Sequence, residues 1–282
     1  MRVAVRDTEI FFDVEGAEFV PDGPVLRRKP TIILLHGGPG ADHSRLKPAF
    51  SRLAEAAQLI YIDHRGHGRS ARGSADTWTL DNWAEDIHEF CKKLQICKPL
   101  LLGVSFGGFV ALRYAARYPD SLSGLILSST RAHTDLEHIY AAFDREGGSN
   151  AAAVARNYWE KPTIETLSDY VSVCFPLFGL SAPNKDAARR GMVNPDVVLQ
   201  FSATEHNSMD MRDGLGSVSC PTLILNGARD PINPLEDVRE MVTAFSSRNV
   251  TFELFEDQRH NLSKDMPDKY FETIERWLSS NL

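Results

Sequence analysis

The sequence predicts an α/β protein built on a mostly parallel sheet with helices on both faces. Three observations predict it. Unbroken apolar runs recur as TIILLH (31–36), QLIYID (58–63), PLLLGV (99–104), SLSGLILSS (121–129) and PTLILNG (221–227). Such runs mark strands buried on both faces. Helical periodicity separates them, as crossover helices require. One long stretch, residues 131–215, breaks the alternation and carries helical patches without a buried-strand run.

The elements follow in order. The opening MRVAVRDTEIFFDVEG alternates apolar and polar residues, which predicts an antiparallel hairpin over 2–6 and 9–14. AEFVPDGPVLRRKP (17–30) reads as a loop from its prolines, glycine and charges. Helices are expected near 44–56, 79–94, 106–118, 235–246 and 267–280, and VTFELFE (250–256) is the last strand. In TLDNWAEDIHEFCKKL (79–94), Thr79 is the expected N-cap, and Leu80, Trp83, Ile87, Phe90 and Leu94 keep to one helical face. The expected division is a core domain of residues 1–130 and 216–282 and a helical cap of residues 131–215.

Composition narrows the function classes. The chain has 282 residues, 43% hydrophobic and 24% charged, the balance of a globular protein. Its net charge of −7 disfavours nucleic-acid partners. No stretch approaches the ~20 apolar residues of a membrane span, and the start lacks a signal-peptide run. Cys91, Cys97, Cys174 and Cys220 fit no metal-ligand spacing. They read as reduced thiols of a cytoplasmic protein with no metal site.

The chemistry begins at GVSFGG (103–108). It follows a buried strand and opens an amphipathic helix, the setting in which G-x-S-x-G forces a serine onto a tight turn. Gly103 and Gly107 would let strand and helix approach, and the Phe106 N–H would point from the helix N-terminus as an oxyanion donor. LLHGGPG (34–40) also follows a buried strand and offers the Gly38 N–H as a second donor. His36 reads as a structural histidine bonded to the loop backbone. A nucleophilic serine needs a base, and the base an orienting acid. Asp230 lies just past the 221–227 strand and His260 just past the 250–256 strand, at the same sheet edge as Ser105. Asp257 and Asp135 compete for the acid's place.

HGGPG, DHRGHGRS (63–70), GVSFGG, GARD and RHN, in this order, resemble the α/β-hydrolase superfamily over nearly the whole chain. The HGGPG and DxRGxGxS forms look most like its proline iminopeptidase branch. The resemblance implies an eight-stranded sheet, a helical cap inserted after the sixth strand, and a serine triad without a cofactor. By position, Ser105 matches the nucleophile, Asp230 the acid and His260 the base. Gly38 and Phe106 match the oxyanion donors, and Arg65 belongs to a structural ion-paired loop. Cap glutamates that hold a substrate's free amine map to Glu160, beside Trp159, and to Glu205. Two features depart from that branch: Phe106-Gly107-Gly108 stands where it usually carries Trp and then a Gly-Ser pair, and EHNSMD lacks its aromatic pair, which sets esterase and lactonase activity beside peptidase activity. The cap aromatics Tyr140, Phe143, Tyr158, Trp159, Phe175 and Phe178 are expected to line an apolar pocket. The substrate is expected to be a small molecule or short peptide, with no nucleic acid or membrane partner. An aminopeptidase releasing an N-terminal residue is the leading expectation. The alternatives are a carboxylesterase or lactonase for small neutral substrates, and a non-catalytic binding protein of the same fold.

Overall fold

A computed structural model describes residues 1–282 apart from 183, 247 and 248. Among the described residues ten strands run in chain order: β1 (Arg2–Val5), β2 (Thr8–Glu15), β3 (Phe19–Asp22), β4 (Val25–Arg28), β5 (Thr31–Leu35), β6 (Gln58–Ile62), β7 (Leu100–Val104), β8 (Gly124–Ser128), β9 (Thr222–Gly227) and β10 (Val250–Phe255). Eight of them form one sheet in the order β1-β2-β6-β5-β7-β8-β9-β10. The β1–β2 and β2–β6 pairs are antiparallel, and the rest are parallel.

The unbroken apolar runs have a direct cause. Successive strand residues point to opposite faces, and both faces are covered. Ile33 and Leu35 enter one core cluster with Trp83, Val110 and Met241. Ile32 and Leu34 enter the other with Phe50, Phe271 and Trp277. The covering helices are α1 (Leu80–Lys93), α2 (Phe106–Arg117) and, later in the chain, α8 (Leu235–Ala244) and α10 (Pro267–Asn281). Thr79 caps α1, its side chain accepting from the Asn82 amide at 3.2 Å.

Two local expectations are corrected. Residues 17–30 are not wholly loop, because β3 and β4 pair as a hairpin around Gly23-Pro24, with Asp22 opposite Val25. Its residues are mostly exposed on both faces, so no apolar alternation announces it. The expected helix over 44–56 is instead two 3₁₀ turns, His43–Arg45 and Ala49–Ala54, separated by Pro48, which cannot donate to a continuous α-helix.

Between β8 and β9 lie α3 (Leu136–Glu160), α4 (Ile164–Val173), α5 (Lys185–Arg190), α6 (Pro195–Thr204) and α7 (Arg212–Leu215). A short α9 (Leu262–Asp265) precedes α10. The two ends of the helical segment are tied together. The Thr134 amide donates to the Met209 carbonyl at 3.0 Å and the Met211 amide to the Ala132 carbonyl at 2.9 Å. Among the described residues, no helix is long and apolar enough to cross a membrane.

Candidate active site

Ser105 sits between β7 and α2 at φ 54°, ψ −117°. A non-glycine residue is uncommon there and persists only where its surroundings hold it. Those surroundings are specific. The Ser105 amide donates to the Ser128 carbonyl at 2.9 Å, and the Ser105 carbonyl accepts from the Gly108 amide at 2.8 Å. The Thr130 hydroxyl donates to the same carbonyl at 2.9 Å. The three glycines are needed for close approach. A β-carbon on Gly103 would overlap the Gly107 backbone, one on Gly107 the Leu35 carbonyl, and one on Gly108 the Thr130 side chain. Gly107→Ala is therefore expected to lower stability by about 2–4 kcal/mol. Urea unfolding measures it, and a loss under about 1 kcal/mol would refute the close-approach account.

The loop after β9 presents Asp230 and the loop after β10 presents His260. Asp230 Oδ2 lies 2.8 Å from His260 Nδ1. Asp230 Oδ1 accepts from the Ile232 and Asn233 amides at 2.9 and 3.0 Å. Both residues are buried. The two loops lock together through the Arg229 amide, which donates to the Gln258 carbonyl at 2.9 Å. They also lock to the serine's neighbouring strand, because the Ser129 hydroxyl donates to the His260 carbonyl at 2.8 Å. The Asn233 amide group donates to the Ser129 carbonyl at 2.7 Å. Ser129, Thr130 and Asn233 thus knit the site and were missed from the sequence; the only signal was the abrupt polar end of an apolar strand.

Arg131, also missed, is fully buried. It donates to the Ile232 carbonyl at 2.6 Å, to Asn233 Oδ1 at 2.7 Å and, from the helical segment's root, to His206 Nε2 at 2.8 Å. Burial pulls its guanidinium down to about 10, opposed by Asp237 and Asp230.

The HGGPG loop packs on the serine turn. A β-carbon at Gly37 would stand 3.1 Å from the Val104 carbonyl and 3.3 Å from Ser105 Cβ. Gly38 follows at φ 59°. Helix geometry leaves the first amides of α2, at Phe106 and Gly107, without intrahelical acceptors. The helical segment reaches this loop as well. A β-carbon on Gly40 would overlap the Asn194 carbonyl, and the Asn194 amide donates to the Gly40 carbonyl at 2.7 Å.

His36 is buried, with Nδ1 3.2 Å from the Gly37 carbonyl. It packs with His64 and His67 behind Phe106. The Phe106 ring is 1% exposed and lies against Trp83, His67 and Phe201. The ring is part of the core. Arg65 makes the expected ion pairs, with Asp86 and Asp7 at 2.7 Å each. Asp42, His43 and Asp63 come close enough to hold a cation, but their oxygens are engaged. Asp63 binds the His43 and Arg69 amides, and Asp42 binds Ser44 and Arg69.

The structure does not bring the predicted amine-binding glutamates together. Glu160 is exposed and pairs with Arg156 at 3.4 Å. Glu205 accepts from the Leu80 amide, the first of α1, at 2.7 Å, and burial pushes its carboxyl up. Trp159 is buried and stacks on His206 at 3.9 Å. Tyr140, Phe143, Tyr158 and Trp159 form the helical segment's own core with Ile232, whereas Phe175 is exposed. Phe178 alone of the six stands against the His260 ring, at 5.2 Å. Of the rival acids, Asp257 is exposed and Asp135 caps α3.

Residues 30–267 match the family described as the alpha/beta hydrolase fold. A proline iminopeptidase of Clostridium botulinum is 28% identical over 92% of this chain and 93% of its own. The crystal structure of a proline iminopeptidase from Mycobacterium smegmatis superposes with a TM-score of 0.76 at 21% identity, covering 100% of this chain and 98% of that one. A malate-bound thermophilic esterase from Thermogutta terrifontis superposes with a TM-score of 0.69 at 25% identity, covering 99% and 98%. The elbow-like serine turn, the mostly parallel eight-stranded sheet and these likenesses converge: the chain belongs to the α/β-hydrolase family of enzymes and resembles its proline iminopeptidase-like branch.

Proposed function

We propose that the chain is a serine hydrolase in which Ser105, His260 and Asp230 form a catalytic triad beneath a cap made by residues 131–215. The observation that carries this reading is the buried Asp230–His260 pair at 2.8 Å, on loops hydrogen-bonded to the strand beside the strained serine. Ser105 Oγ attacks a substrate carbonyl carbon while His260 Nε2 takes its proton. Asp230 holds the Nδ1–H tautomer and stabilises the imidazolium. The tetrahedral oxyanion is received by the Phe106 and Gly38 N–H groups. His260 then protonates the departing alcohol or amine, and water repeats the cycle on the acyl-enzyme. No step needs a cofactor.

The substrate is a small molecule or short peptide. Whole-chain likeness favours release of an N-terminal residue, as the names of the curated relatives describe for them. The geometry favours a neutral carboxyl ester or lactone, because Glu160 is exposed beside Arg156 and Glu205 is bonded to the Leu80 amide. The Glu205 position matters most. Its Oε2 is taken by the first amide of α1, so that oxygen is not offered to a cation. Four cysteines stand unpaired among the described residues, and on them we place the protein in the cytoplasm. A panel of p-nitrophenyl esters and lactones beside prolyl and alanyl anilides, with Ser105→Ala as control, tests the substrate. Esters are expected to turn over, and Glu160→Gln and Glu205→Gln to change their kcat/KM by less than about threefold. Anilide hydrolysis that Glu160→Gln or Glu205→Gln lowers by more than about tenfold would establish the aminopeptidase reading instead.

A further inference from the structure

Each of the two loops that carry acid and base has an arginine immediately before its functional residue, Arg229 before Asp230 and Arg259 before His260. Both arginines converge on one carboxylate from the cap. Glu146 Oε1 accepts from Arg229 Nε at 3.0 Å, and Oε2 from Arg229 Nη2 at 2.9 Å and Arg259 Nε at 2.7 Å. The Glu146 side chain is 8% exposed and that of Arg259 15%, so their bond is sheltered from solvent, while Arg229 closes the contact from the outside at 46% exposure. A cavity of about 170 Å³ is lined by Glu146, Arg229 and Asp230 itself, so the contact and the acid share one wall.

Its place in α3 is informative. Gly148, with φ 76°, breaks the helix two residues after Glu146. The half bearing Glu146 therefore ends there, and a carboxylate in a helix's last turn is disfavoured by the helix dipole. A locally unfavourable residue held by two partners on the catalytic loops points to a role at the site. Burial pushes its carboxyl up, yet Arg229 and Arg259 together hold it below the ordinary glutamate range.

We propose that Glu146 is a positioning residue for the reaction: one cap carboxylate grips the residues preceding the acid and the base and holds both loops in register with each other and with the cap. The inference rests on the triad reading above. Without Glu146, two guanidinium groups that now share one carboxylate would lose it beside the Asp230–His260 pair, and the loops would lose their side-chain tie to α3. Displacements of an ångström at reacting groups carry large kinetic penalties.

The experiment measures the second-order rate at which a fluorophosphonate labels Ser105, which reports serine activation without a known substrate, together with the thermal midpoint. Wild type should be labelled and Ser105→Ala should not; an unlabelled wild type removes the triad reading and this inference with it. Glu146→Gln should slow labelling by about 10- to 100-fold with a nearly unchanged midpoint. Arg259→Gln, which leaves Glu146 its pair with Arg229, should also slow it, and keeps the test decisive if Glu146→Gln fails to fold. The double variant should label no more slowly than the slower single one, because both act through one contact. With wild type labelled, a wild-type labelling rate in a folded Glu146→Gln or in Arg259→Gln, or losses that multiply in the double variant, would overturn the role of Glu146 while leaving the triad reading intact.

Discussion

Ser105→Ala should remove hydrolysis almost entirely, by about 10⁴-fold or more in kcat/KM, and Asp230→Asn should cost about 10⁴-fold. The two losses have different origins. Alanine deletes the nucleophile but keeps the turn, because the hydrogen bonds at this position run from the main chain: the amide to Ser128 and the carbonyl from Gly108 and Thr130. The folded structure and substrate binding should therefore survive. Asparagine keeps the shape of Asp230 and can still accept from the Ile232 and Asn233 amides through its Oδ1. What then faces His260 Nδ1 is an N–H₂ group. That group cannot accept the Nδ1 proton, so the imidazole turns to the other tautomer and its Nε2 no longer offers a lone pair to the serine. Steady-state kinetics on whichever ester the panel selects, with thermal midpoints as a fold control, check both. A Ser105→Ala enzyme within about tenfold of wild type would require a different nucleophile. An Asp230→Asn enzyme that is fully active would return the acid's role to another carboxylate.

The placement of the proposed triad at one sheet edge was readable from the sequence, because Ser105 directly follows β7, and Asp230 and His260 lie on the short loops that follow β9 and β10. Parallel strands end at one edge, so a motif that fixes the strand also fixes where the next side chain emerges. Glu146, Arg131 and Asn233 had no such marker. Glu146 meets Arg229 and Arg259 across 83 and 113 residues, and an isolated glutamate on a helix reads as a solvated face. Glu205 shows the same limit from the other side. Its partner is the amide of Leu80, 125 residues away, and no spacing rule announces that a carboxylate between β8 and β9 will seat on α1. The β3–β4 hairpin escaped for a simpler reason: a strand exposed on both faces has no alternation to read.

The other large effect expected is loss of stability in mild acid. His67 and His206 are buried, and burial pulls each down to about 3. Burial likewise lowers His64, and it lowers His36 against the pull of Asp63. The contacts show why a proton is unwelcome. His67 spends Nδ1 on the Arg65 carbonyl at 2.8 Å, and its Nε2 is buried without a partner, as is that of His64. His206 Nε2 accepts from the Arg131 guanidinium, so a proton there would face an existing cation. In the unfolded chain each imidazole takes its proton near the ordinary value of about 6.5. Between that pH and the folded value the unfolded state holds more protons, so stability rises with pH across this window. The contribution is complete above about 6.5 and is lost progressively as pH falls toward 3. Each histidine costs about 1.4 kcal/mol per pH unit within the window. His67 and His206 alone should thus remove about 4 kcal/mol between pH 7 and pH 5, a large part of a typical domain's 5–15 kcal/mol or so. Some carboxyls act the other way. Asp86 is raised by burial against Arg65, Asp237 by burial against His138 and Glu205 by burial, so each favours the folded state as it takes up a proton, as does His138, raised by its bond to Asp237, and together they offset part of this slope. Urea unfolding at pH 7.5 and pH 5.0 measures the slope, and His67→Gln should flatten it by about 2 kcal/mol over that interval. Equal stabilities at the two pH values would mean that the histidine cluster admits protons or solvent in the folded state. The cluster packs directly behind Phe106 and the HGGPG loop, so activity should fall together with stability as the pH is lowered.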